Sequence, residues 1–117
     1  PGRRRIVVAA LVAATTALLA CSSVAPAVQH RYVIPDGTRD LYLTGGSPVI
    51  FPDELVAHVG DSLLIVNNDK VGWQVGPYFV GSGGKVTQYF ASPSDLTGTC
   101  KMAAAGEFRI RVLPRKE

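Results

Sequence analysis

Few side chains in this sequence can carry chemistry, and the informative ones are sulfur and imidazole: Cys21, Cys100, Met102, His30 and His58. Cys100 and Met102 stand two positions apart. A thiolate and a thioether are soft donors, and together they could hold Cu(I) if a third ligand came from outside. The plainer reading makes Cys100 a small buried hydrophobe and Met102 a filler beside an aromatic ring. The histidines do not obviously join them. His58 lies just before the Gly60-Asp61 turn, and a strand separates that turn from Asn68. At about 3.3 Å per residue this puts His58 roughly 20 Å from the Cys100 end. His30 falls in a stretch that reads as a tether. No Ser-His-Asp arrangement can be assembled from such positions. Gly81-Ser82-Gly83-Gly84 is not followed by the Gly-Lys-Ser/Thr of a phosphate loop. Asp53-Glu54 reads as a solvated turn. The sequence does not read as an enzyme.

The elements that must position these residues are strands. The central stretch runs from Gly60 to Pro77. Ser62 to Val66 is rich in aliphatic and β-branched residues suited to a half-buried pleated surface. Asn67-Asn68-Asp69 stops it, because Asn and Asp side chains bond their own backbone and favour turns. Trp73 to Val75 follows and ends at Gly76-Pro77. Further strands are expected at Arg31–Ile34, Glu54–Val59, Lys85–Phe90, Leu96–Cys100 and Glu107–Val112. No window after residue 21 shows a helical period. Short strands between turn signals predict an all-β sandwich or barrel. Roughly 80 residues leave little room for a deep cleft.

The N-terminal region reads differently. Arg3-Arg4-Arg5 precedes an apolar run, Ile6 to Ala20, too short for an ordinary membrane span. It ends Leu18-Leu19-Ala20-Cys21, which resembles a bacterial lipobox. That resemblance implies a signal peptide over 1–20, cleavage before Cys21, and lipidation of its thiol. An uncut N-terminal anchor helix is the alternative. Residues 21–30 then form a tether, 31–113 the domain and 114–117 a tail. The expected location is exported and lipid-anchored, at the outer face of the cytoplasmic membrane or in the periplasm. The chain has 12 Lys+Arg against 9 Asp+Glu, and the basic excess lies in the leader arginines. Nothing in the charge therefore points to nucleic acid. With Cys21 lipidated, Cys100 is left as an unpaired thiol. A Cys21–Cys100 disulfide would require the lipobox reading to be wrong.

The order Phe51-Pro52, Val59-Gly60-Asp61, Asn68-Asp69, Val75-Gly76-Pro77, Tyr89-Phe90, Gly98-Thr99-Cys100 and Gly106 resembles the cupredoxins, especially bacterial exported cupredoxin-like domains. The resemblance covers roughly 49–113 and implies a Greek-key β-sandwich. In that family a His follows the Asn-Asp strand, and a Cys then a His lie in the last loop, giving a His₂Cys blue-copper site with a weak axial ligand. Here the first ligand position falls at Trp73, the Cys is kept as Cys100, and the second His position falls at Ala103 or Ala104. The resemblance thus implies a membrane-anchored binding or accessory domain without its type 1 copper site. The alternative is a copper protein, for electron transfer or Cu(I) carriage, built on Cys100 and Met102. Trp73 and Tyr78 are the candidates for a partner-docking surface, the expected partner being an envelope protein.

Overall fold

Alternation along single strands decides which residues go inside. We describe residues 26–115 of a computed structural model. The expected signal peptide, lipidation at Cys21 and anchor helix all fall outside the described residues. Strand β3 (Ser62–Asn67) buries Leu63, Ile65 and Asn67 and turns Ser62, Leu64 and Val66 the other way. It is the middle of a three-stranded sheet. β1 (Gln29–Ile34) lies parallel on one side, with Gln29 opposite Ser62 and Ile34 opposite Asn67. β6 (Lys85–Tyr89) lies antiparallel on the other.

The second sheet is centred on β8 (Glu107–Leu113), in which Phe108, Ile110 and Val112 face inward between charged residues. β2 (Glu54–His58) pairs with it in parallel and β7 (Ser94–Thr99) antiparallel. A small hairpin, β4 (Trp73–Val75) and β5 (Tyr78–Val80), closes one end. Because β1 and β3 are parallel neighbours with β2 in the other sheet between them in sequence, the chain crosses between layers twice on the way from β1 to β3. The strand pattern predicts an all-β sandwich or barrel, and the described residues form an all-β sandwich.

The two inner faces meet over Ile34, Phe51, Leu63, Ile65, Val75, Phe108 and Ile110, all buried. Full burial of such a side chain contributes about 1.5–3 kcal/mol. Tyr32, Phe51 and Phe108 stack on one another, with ring centroids 5.1–6.2 Å apart. The hairpin is held against β7 by a bare crossing. A Cβ on Gly98 would lie 2.1 Å from the carbonyl oxygen of Gly76, so position 98 admits no side chain. The Gly76 N–H donates to the Thr99 carbonyl at 3.0 Å.

Two local differences from the sequence reading matter. Thr38–Leu43 forms a helix, α1, where only loop or strand was expected. β1 also begins at Gln29, so Gln29 and His30 belong to a strand and not to a tether. In both cases the stabilising partner is a carboxylate some thirty residues away, described next.

Candidate functional site

The site is the pole at which the Asn67-Asn68-Asp69 loop, the β4–β5 hairpin, α1 and the Cys100 loop converge. Asn67 is fully buried, and its side chain replaces missing backbone pairing. Its Nδ2 donates to the carbonyls of Val71, Val80 and Gly81 at 2.8–3.2 Å, and its Oδ1 accepts from the Asp69 N–H at 2.9 Å. That turns the chain sharply and sends Asp69 inward.

Asp69 then binds four donors. Oδ1 accepts from the N–H groups of Gly37 (3.2 Å) and Lys70 (2.9 Å). Oδ2 accepts from the Arg39 N–H (2.9 Å) and the Trp73 indole N–H (2.8 Å). Burial alone would raise the carboxyl pKa. The indole and backbone N–H groups outweigh it and hold the group below the usual carboxylate range. Gly37 and Arg39 flank the start of α1, so Asp69 caps a helix that has no side-chain cap of its own.

Trp73 is thereby fixed. Tyr42 of α1 packs on the indole with ring centroids 5.5 Å apart and donates its hydroxyl to the Lys101 carbonyl. Beside this pair, Gly72, Trp73, Gln74, Thr99 and Lys101 line a shallow cavity of about 260 Å³.

Cys100 and Met102 sit directly beneath and are fully buried, and Ala103 is almost so. Cys100 bridges to Val75, and Ala103 bridges to Phe51. Burial pushes the Cys100 thiol pKa up, and hydrogen bonds from the N–H groups of Met102 and Ala103 offset this only in part. The thiol is therefore neutral at physiological pH. The Met102 carbonyl accepts from the N–H groups of Ile50 and Phe51 at 2.8 and 3.0 Å, which ties the Cys100 loop to the segment before β2.

The donor set here does not fit a His₂Cys copper centre. It holds one thiol and one thioether, an indole whose N–H is already engaged, and an alanine, and neither imidazole is there. Among the described residues no three His, Cys, Asp or Glu side chains gather to hold a metal ion. The histidines are elsewhere. His30 Nε2 lies 3.1 Å from Asp61 Oδ2, and that oxygen also accepts from the His58 N–H at 3.0 Å. Asp61 lies at the opposite pole, where its Oδ1 accepts from the Val28 N–H at 3.0 Å and Arg115 lies 3.5 Å away.

The expected aromatic surface is distributed differently from the sequence reading. Trp73 and Tyr78 are half-buried, and the Tyr78 hydroxyl is buried with no hydrogen-bond partner. Phe79 is the outward ring, 65% exposed, and it lies over Gly72, where a Cβ would meet it at 2.3 Å. Leu41, Leu43 and Val49 add exposed aliphatic surface on α1 and the segment after it. Sequence reasoning missed α1 and the capping role of Asp69. The one available signal was the inward-turning Asn-Asn-Asp motif.

No protein-family model matches the chain. No curated protein sequence matches it. Among solved structures, it is similar to a novel purple cupredoxin from Nitrosopumilus maritimus, at 16% identity and a TM-score of 0.48, over 72% of this chain and 99% of that one. A likeness at that level adds nothing about ligands, and the reading of the pole rests on its own residues.

Proposed function

We propose that this is a lipid-anchored, extracytoplasmic accessory domain that binds a partner through its loop pole and has no type 1 copper site. The observation that carries the reading is the locked Trp73. At the position where the resemblance puts a ligand imidazole, the indole N–H is committed to Asp69 and the ring face to Tyr42. Imidazole at such a position must offer a free nitrogen lone pair to a metal. An indole offers none. Exposed Phe79, Leu41, Leu43 and Val49 supply apolar surface around the same pole, the kind of patch that marks interaction sites. The anchor is supported by Leu18-Leu19-Ala20-Cys21 at the end of a charged, then apolar, leader.

Copper titration of the full chain tests the first half. Weak, unsaturable Cu(II) binding without a thiolate charge-transfer band is expected. Tight stoichiometric binding lost on Cys100→Ser would overturn it. Mass spectrometry of protein extracted from its own envelope tests the anchor. A diacylglyceryl-modified Cys21 is expected, and a retained leader without lipid refutes it.

A second reading has one observation in its favour. Cys100 and Met102 are both buried on one short loop, so a soft-metal Cu(I) role remains the rival. Cu(I) competition against a chelator, with and without Met102→Leu, separates the two.

A further inference from the structure

The two outer faces of the sandwich are built differently. On the β2–β8–β7 sheet the outward charges neutralise one another. Arg109 pairs with Asp95 at 2.5 Å and Arg111 with Glu54 at 3.3 Å. The outer face of the β1–β3–β6 sheet has no such ladder. Strand alternation and register put Val33 beside Val66, and Arg31 beside Leu64, on that face, with Lys85 and Tyr89 on the far strand. Its remaining residues are Gln, Ser and Thr, and it carries no carboxylate. Val33, Leu64 and Val66 are only half-buried, and Tyr89 is 72% exposed. Neither Arg31 nor Lys85 has an ion-pair partner among the described residues.

We propose that this face docks the domain sideways onto an anionic lipid surface. Three arguments select that occupant. The first is charge: two unpaired cations and no anion surround an aliphatic centre, which complements anionic headgroups. The second is chemistry: an exposed Tyr, with Arg and Lys stems over aliphatic surface, suits the boundary between water and acyl chains. The third is where the chain goes. It enters this sheet at Gln29, and the stretch back to Cys21 reaches at most roughly 29 Å at about 3.6 Å per residue. A second copy is disfavoured as occupant, because a two-fold interface would bring together two faces whose only charges are positive. The third argument rests on the lipid anchor proposed above; the first two do not.

The test uses the full chain in nanodiscs of phosphatidylcholine, alone or mixed with phosphatidylglycerol, with a spin-labelled lipid in each. Broadening of the Val33, Leu64 and Val66 methyl signals is expected in the anionic discs and not in the neutral ones, and it should fade at high salt. Neutralising both cations, Arg31→Gln with Lys85→Gln, should weaken docking about 25-fold, at about fivefold per cation removed. Arg111→Gln on the opposite face should leave docking unchanged. All three positions are exposed, so the variants should fold. Equal broadening in the two disc types, none in either, or no response to the double variant would overturn the proposal. Chemical-shift changes on this face that follow protein concentration without lipid would overturn it in favour of a second copy. Co-sedimentation with neutral discs reads the anchor separately. If it fails there while the anionic signal persists, the anchor reading falls and the face reading stands.

Discussion

Replacing Asp69 should loosen the whole loop pole, and the structure sets the size of the effect. Its carboxylate receives four N–H donors, at 2.8–3.2 Å, from a buried position. Hydrogen bonds to a charged acceptor contribute about 1.5–3 kcal/mol each. Arg39 and Lys70 lie at the surface, so water can replace part of what they lose. Gly37 and Trp73 are half-buried and recover less. Asp69→Ala should therefore cost roughly 3–5 kcal/mol. Asp69→Asn keeps the shape and one acceptor oxygen but turns an amide N–H₂ toward N–H donors, so roughly 2–3 kcal/mol is expected. A domain of this size has on the order of 5–10 kcal/mol in total, so either change is large. Trp73 is the sole tryptophan, and its emission reads the Asp69 contact directly. Urea unfolding followed by Trp73 fluorescence and by far-ultraviolet circular dichroism gives both stability and local state. If Asp69→Asn lies within about 0.5 kcal/mol of the parent, with Trp73 emission unchanged, the argument that a buried carboxylate organises the site is wrong.

Other expectations are brief. Burial works against ionisation of Asp61, but the N–H groups of Val28 and His58 and the His30 ring lower its pKa to about 2 from 3.8. A depressed folded pKa contributes stability above the unfolded pKa, lost as pH falls from about 4 through about 2. That loss should reach at most about 2 kcal/mol, and Asp61→Asn should remove its pH dependence in acid denaturation. Gly98→Ala should cost more than about 2 kcal/mol, because the clash is with the Gly76 backbone; a neutral result in thermal unfolding would mean that the hairpin does not press on β7. Trp73→His with Ala103→His should add a blue charge-transfer band on Cu(II) loading. No band with that pair, nor with Ala104→His in place of Ala103→His, would mean that these are not ligand positions.

The sandwich was legible because its strands announce themselves locally. Glu107–Leu113 alternates in sequence as it does in space, Ser62–Val66 is a run of aliphatic and β-branched residues, and Gly76-Pro77 marks the hairpin turn. The rest depended on distance along the chain. Thr38–Leu43 is six residues long, too short for a helical period to emerge, and its capping group comes from Asp69 in another loop. His30 looked like tether because its strand is completed by β3 and its ring by Asp61, thirty-one residues on. The resemblance placed Trp73, Cys100 and Ala103 at one end. That Tyr42 would lie across Trp73 could not be read, since the contact exists only once α1 does.

The parallel pairing of β1 with β3 has a mechanical consequence. A pull on the chain before Gln29, directed along the strand, loads the hydrogen bonds from Gln29–Ser62 to Ile34–Asn67 together, in shear. They cannot open one at a time, as they would in a peeled hairpin. The first residues to feel the load are also those clasped by Asp61, through the Val28 N–H and the His30 ring. A domain held at that end would resist unfolding by a rupture force well above that of its β4–β5 hairpin, whose three short pairings would unzip in turn.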